Sequence, residues 1–262
     1  MYSTAVTLFL GVASFLLTVV LSSGEVEKFN YSDPWKWGSE SPENAICSSG
    51  KQQSPIDIIT SDVFVNETLK PLTRDYHVYN ASLATNGIQV EVVFRGRGEL
   101  VIDGKTYYLK QMHWHTPSEH RLNGVQYAAE LHQVHAATDG SRTVVGILFK
   151  YGPPSALITM LKPQLDELAK QPCEGSDQHK VVPRFESLYL RRRPRNYYRY
   201  LGSLTTPPCD ENILWNVLAK VKTISKDQVE ALKAPLCKVN QRDNARPIQA
   251  LNGRRVQLYD KN

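Results

Sequence analysis

The sequence predicts a mostly β domain of the α+β class, and three observations carry that prediction. Several stretches alternate apolar and polar residues with a period of two, Asn-Gly and Asp-Gly pairs punctuate them, and helical periodicity is confined to two segments. A chain of 262 residues that is 41% hydrophobic and 22% charged can fill one sizeable core. Disorder, collagen-like repetition and a polytopic membrane protein are excluded on composition. The 31 Lys and Arg residues against 26 Asp and Glu give a net charge of +5, too mild and too scattered for a nucleic-acid partner.

Taken in order, the first element is an uncharged apolar run from Ala5 to Leu21, followed by Ser22, Ser23 and Gly24. No basic stop-transfer cluster follows, so residues 1–24 read as a signal peptide cleaved near Gly24, with no membrane attachment afterwards. Residues 25–262 contain no internal repeat and no biased linker and read as one domain. On a secretory route the N-x-S/T sequons at Asn30, Asn66 and Asn80 become glycosylation acceptors. Cys47, Cys173, Cys209 and Cys237 would meet an oxidising compartment, where three two-disulfide connectivities are open to them. They include no C-x-x-C pair, so a zinc ribbon or thioredoxin site is not indicated.

Gln89 to Val92, Glu99 to Ile102 and Thr106 to Leu109 alternate as half-buried strands do, and Asn86-Gly87 and Asp103-Gly104 are hairpin signals beside them. Val144 to Tyr151 is continuously apolar, as in a strand covered on both faces, and Gly152-Pro153-Pro154 ends it. Ala156 to Lys170 and Lys226 to Leu232 have helical periodicity, the second behind a Ser225 cap. Strands dominate, and the helices are accessories.

Five of the seven histidines fall within the 23 residues from His113 to His135. His113 and His115 are two apart on a strand pattern, so their side chains share a face. Tyr127 to His135 reads as a second strand, with Glu130, His132 and Val134 on one side and Leu131 and His135 tending to the other. If the two strands are antiparallel neighbours, His113, His115 and His132 converge on one ion. A single histidine on a sheet face is usually a hydrogen-bonded core residue; three with this parity make a nitrogen site. Such a site suits zinc better than calcium or magnesium and leaves a coordination position open for water, although ligand type alone leaves copper as an alternative.

These two strands, Gln111 to His120 and Glu130 to His135, resemble the active-site strands of an α-class carbonic anhydrase of plant type. Gln53 to Ile58 resembles the family's N-terminal motif, Tyr200 to Pro208 its gate segment and Asn244 to Gln249 its C-terminal signature, so the resemblance runs from about Tyr31 to Tyr259 in the family's order. It implies a single domain around a large, twisted, mainly antiparallel central sheet with a few peripheral helices. It also implies that His113, His115 and His132 hold Zn2+. Gln111, Glu130 and the backbone carbonyl of Asn244 would accept hydrogen bonds from His113, His132 and His115, fixing each ring.

The implied reaction is the reversible hydration of CO2 to bicarbonate and a proton by attack of zinc-bound hydroxide, with weak ester hydrolysis as a side activity. Thr205 and Glu119 would be catalytic: Thr205 accepts from the hydroxide and donates to Glu119, which as an ionised acceptor leaves the hydroxyl one direction in which to donate. Thr206 would contact bicarbonate, and Val134, Val144, Leu204, Ile213 and Trp215 would form an apolar wall for CO2. Sulfonamides and anions are expected inhibitors, CO2 and bicarbonate the substrates, and a monomer or dimer the assembly. The resemblance pairs Cys47 with Cys209 and leaves Cys173 and Cys237 unassigned. The expected location is outside the cell, in the apoplast, or in the chloroplast by the secretory route.

The chain departs from the pattern in two places. Ile88 stands where fast relatives carry a proton-shuttling histidine, so turnover is expected to be limited by proton release, with His77 a substitute only if the fold brings it to the cavity mouth. The stretch from Tyr31 to Gly38 is compressed, which leaves the role of Tyr31 open. The basic run Arg191 to Arg195 reads as a solvated loop. Two rival readings differ in class: a catalytically weak or inactive storage or binding protein on the same scaffold, and a zinc hydrolase. Storage relatives typically lose a ligand or gate residue that this chain keeps, and a hydrolase would be expected to show a His-Glu-x-x-His helix, which is missing.

Overall fold

The structure is a computed structural model that describes residues 29–76, 79–95, 98–171, 178–185, 190, 196–237 and 243–261. The expected signal peptide at 1–24, His77, Cys173 and the basic run 191–195 lie outside the described residues. No helix among the described residues is long and apolar enough to cross a membrane.

In chain order the strands are β1 (Asp57–Ile58), β2 (Phe64–Val65), β3 (Thr73–Tyr76), β4 (Tyr79–Thr85), β5 (Val90–Arg95), β6 (Gly98–Ile102), β7 (Lys105–His115) and β8 (Arg121–Leu122). They continue as β9 (Val125–Gln126), β10 (Ala129–Ala136), β11 (Arg142–Tyr151), β12 (Gln178–Phe185), β13 (Tyr197–Ser203), β14 (Glu211–Leu218), β15 (Lys222–Ile224) and β16 (Gln257–Tyr259). The α-helices are α1 (Trp37–Glu40), α2 (Ile46–Ser49), α3 (Ala156–Leu168) and α4 (Lys226–Lys233). The two longer ones are those the periodicity predicts. Ser225 caps α4, accepting from the Gln228 amide in a capping box.

Among the described residues thirteen strands form one sheet whose main path runs β12-β4-β5-β7-β10-β11-β14-β13-β16-β2. Most neighbours are antiparallel, as expected. β11 instead runs parallel to β14 and β15, and β16 parallel to β2, so the sheet is mixed. Both predicted turns close hairpins: 86–89 links β4 to β5, and Asp103 and Gly104, at φ 50° and 84°, link β6 to β7 in two residues.

The apolar run of β11 has a direct reason. Val145, Ile147 and Phe149 enter one buried cluster with Met112, Trp114 and Leu131, whereas Val144 and Leu148 enter a second with Tyr200, Ile213 and Trp215. Side chains alternate along a strand, so a sheet covered on both faces needs apolar residues at every position. The second cluster lies beside the histidines.

Candidate metal centre

β7 and β10 are antiparallel neighbours, and His113 lies directly opposite His132. His115, two residues on, shares their face. The ring centroids are 5.0 Å apart for His113 and His115, 5.2 Å for His113 and His132 and 4.6 Å for His115 and His132. One ring nitrogen from each lies within 4.8 Å of the others. Strand parity and cross-strand register together bring the three rings to one place.

Each ring is turned by an acceptor. His113 Nδ1 donates to Gln111 Oε1 at 2.8 Å and His115 Nδ1 to the Asn244 carbonyl at 2.6 Å, which leaves the Nε2 lone pairs as ligand atoms. His132 is turned the other way, with Nε2 3.0 Å from Glu130 Oε1, leaving Nδ1. His115 Nε2 is fully buried and has no hydrogen-bond partner. A buried polar atom left so is costly unless something else binds it, so the residues fit a cation that prefers nitrogen. Burial holds all three imidazoles below their ordinary pKa, His115 at about 4 and His113 well down, with their neighbours' charges adding to the effect at His113. Neutral rings are the form a metal needs.

Two carboxylates flank the triad in opposite states. Burial alone would push Glu130 up, but His120 and His132 beside it hold it well below the usual carboxylate range. Its Oε2 accepts the amides of Glu119 and His120 at 3.0 and 2.8 Å, and its Oε1 faces His120 Nδ1 at 2.8 Å. Glu119 is pushed up to about 7 by burial, against the opposing pull of His132, the Arg246 amide and the Thr205 hydroxyl. Arg246 N donates to its Oε1 at 2.9 Å. Opposite His132 on β11 stands Gly146, where a Cβ would come within 2.9 Å of Glu130 Oε1. Glycine there leaves the carboxylate its place.

The gate segment is the turn between β13 and β14. Leu204 N donates to Asp210 O and Cys209 N to Thr206 O, each at 2.9 Å, which closes the turn on itself. Thr205 is buried and Thr206 half-buried. Val144, Ile213 and Trp215 lie in the cluster beside the triad, with Val134 and Leu204 packed against it, so the five expected wall residues come together. The Trp215 ring centroid is 4.8 Å from that of His132, and its Nε1 donates to Ser203 O at 2.9 Å.

Cys47 and Cys209 are disulfide-bonded across a sequence separation of 162. Cys237 is also disulfide-bonded. Ile88, expected at the shuttle position, is 3% exposed and packs in the larger apolar cluster, its carbonyl accepting from Asn244 Nδ2 at 3.1 Å. Tyr31 packs edge-on against Phe29 and Trp37. Asn30 is exposed and Asn66 half-buried; Asn80 falls in β4, its side chain outside the description.

Sequence reasoning missed the supports behind this site. His120 bridges Glu130 and Tyr200, with its Nε2 2.7 Å from the Tyr200 hydroxyl. Ser54 Oγ lies 2.7 Å from the same hydroxyl and accepts the Ser203 amide at 3.0 Å, reaching the start of the gate. The Arg246 guanidinium, buried, donates to Gln53 Oε1, Ser54 O and Cys47 O at 2.8 to 2.9 Å. His120 sat in the histidine-rich window and the others within the quoted motifs, so the signal was present without the contacts that give it meaning.

Residues 32–260 match the family model for eukaryotic-type carbonic anhydrase. Alpha carbonic anhydrase 7 of Arabidopsis thaliana is 39% identical over 247 residues, covering 91% of this chain and 88% of that protein. A crystal structure of dioscorin complexed with ascorbate superposes with a TM-score of 0.83 at 35% identity, covering 90% of this chain and 99% of the other. The α-carbonic anhydrase of Thermovibrio ammonificans, solved with the inhibitor sulfanilamide, superposes with a TM-score of 0.78 at 38% identity, covering 87% and 98%.

Proposed function

The chain belongs to the eukaryotic-type, or α-class, carbonic anhydrase family, and on that premise we propose that it catalyses the reversible hydration of CO2 to bicarbonate and a proton at a zinc site held by His113, His115 and His132. The observation that carries the proposal is the buried, unpartnered Nε2 of His115 among three converging neutral imidazoles. Bound zinc supplies Lewis acidity that brings a water's pKa to ~7, a figure taken from carbonic anhydrase itself, the type case of the effect.

The chain's own residues then do three things. Gln111, Glu130 and the Asn244 carbonyl keep the rings aimed and fix which nitrogen is free. Glu119, ionised beside a divalent cation, would accept from the Thr205 hydroxyl, so that Thr205 could only accept from a nucleophilic oxygen on its other side. Val134, Val144, Leu204, Ile213 and Trp215, packed in or against one apolar cluster, would offer CO2, which has no net charge, a wall on which it loses no hydrogen bonds, and the half-buried Thr206 would bind the bicarbonate product. The same site would cleave activated esters weakly and take sulfonamides and small anions as inhibitors.

The likeness to dioscorin supports a second reading, a storage or binding protein of weak activity. Purified protein assayed for zinc and for sulfonamide-sensitive CO2 hydration separates the two: bound zinc with no hydration favours storage. The Cys47–Cys209 bond and the plant relatives support a secretory route ending in the apoplast or the chloroplast.

A further inference from the structure

Strand β2 closes one end of the large sheet, and among the described residues only β16 pairs with it. The amides of Phe64 and Asn66 donate inward to Val256 O at 2.9 Å and Leu258 O at 3.0 Å. Outward, Phe64 is 53% exposed and Val65 52%. An open edge with exposed apolar side chains can template a second chain; β2 carries neither charge nor proline, and only its two-residue length limits that pairing.

Directly after β2 comes the sequon Asn66-Glu67-Thr68, whose Asn66 side chain is held between Thr68 and the sheet end. Asn66 Oδ1 accepts from the Thr68 amide at 3.0 Å and the Thr68 hydroxyl at 2.7 Å. Asn66 Nδ2 donates to Gln257 Oε1, on β16, at 2.7 Å. That nitrogen has two hydrogens, so one remains for substitution while the other keeps the bond to Gln257. Glu67 and Thr68 are exposed beside it.

We propose that Asn66 carries an N-linked glycan and that this glycan, anchored by the clamped amide, covers the β2 edge and prevents the sheet from pairing with a second copy of the chain. The proposal rests on the secretory-route reading but not on the CO2 chemistry. The donor is a lipid-pyrophosphate-linked oligosaccharide, and transfer precedes closure of the edge. Asn66 Nδ2 bonds to the anomeric carbon, the carbon–oxygen bond to pyrophosphate breaks, the lipid pyrophosphate leaves with that electron pair, and Nδ2 gives up one proton. β2 is five strands from β10 along the sheet path, roughly 24 Å at ~4.8 Å per strand, so the zinc site is an independent control.

The test uses the full chain produced in a eukaryotic secretory host. Native treatment with peptide N-glycosidase, followed by peptide mass spectrometry, should find residue 66 converted to Asp. The glycan-free protein, and Asn66→Gln made in the same host, should sediment as larger species at concentrations where the glycoprotein does not, and adding Phe64→Lys should reverse this. An unconverted Asn66 in protein whose Cys47–Cys209 bond has formed overturns the proposal. So does glycan-free protein that sediments like the glycoprotein, or association that survives Phe64→Lys. Reduced cysteines with every sequon bare would overturn the secretory reading and this proposal with it, whereas CO2 hydration, measured alongside, reports separately on the zinc site.

Discussion

The Tyr200 hydroxyl stands 2.7 Å from His120 Nε2, and through that pairing the carboxylate behind His132 is tied to the gate. Glu130 only accepts, so His120 donates to it from Nδ1, and His120 Nε2 faces the Tyr200 hydroxyl. The Tyr200 hydroxyl also bonds the Ser54 hydroxyl, which accepts from the Ser203 amide.

Replacing Tyr200 with Phe should therefore leave His120 Nε2 and the Ser54 hydroxyl buried without their partner. The expected loss is ~1–3 kcal/mol of folding stability, the desolvation cost of an orphaned polar group. Urea denaturation of Tyr200→Phe beside the parent measures it, and an unchanged midpoint would remove the series from any structural role.

Substituting Glu130 with Ala takes away the carboxylate that turns His132. Zinc should bind ~10–100-fold more weakly, the usual effect of losing a partner behind a metal ligand. Competition against a chromophoric chelator reads the change, and retention of parental affinity would contradict the orienting role.

Ile88 carries no proton, and its burial keeps it in the apolar core. Imidazole buffer should raise the turnover number for CO2 hydration above that in a bulky non-shuttling buffer of equal pH. Equal rates in the two buffers would show that proton export is not limiting.

Reducing the Cys47–Cys209 bond, or replacing both residues with Ser, frees a loop spanning 162 positions. In the chain-entropy model the loss is about 5 kcal/mol. Denaturant titration of the double Ser variant beside the parent, both in oxidising buffer so that the Cys237 bond stays formed, gives the difference directly, and stabilities that agree within ~1 kcal/mol would contradict the model's figure.

His135, buried against the Tyr76 hydroxyl at 2.6 Å, is pushed down by burial to about 3. The unfolded chain takes up this proton near pH 6.5 and the folded chain only near 3. Its stabilising contribution is thus complete above about 6.5 and declines as pH falls toward 3. His135→Gln should flatten the slope of stability against pH in that window, and an unaltered slope would place the proton elsewhere.

Residues close in sequence were the legible part of this site. His113 and His115 share a face because strands have a period of two, and the same period put Glu130 with His132. The sequence could not pair β11 in parallel with β14, since Val144 and Trp215 meet across 71 positions that no local pattern spans. The supports were hidden for the same reason: Tyr200 and His120 are 80 residues apart, and Arg246 and Gln53 are 193 apart. Ile88 matches the shuttle position by motif alone, and its burial in the larger apolar cluster is not legible from that match. Motif position identifies a residue's counterpart and not its surroundings.

Stopped-flow CO2 hydration by the purified protein, before and after removal and return of zinc, tests the central claim most directly. Sulfonamide-sensitive hydration that disappears with the metal and returns with an equimolar amount of zinc is the predicted result. Protein that holds zinc on His113, His115 and His132 and yet leaves the hydration rate at that of buffer would contradict it.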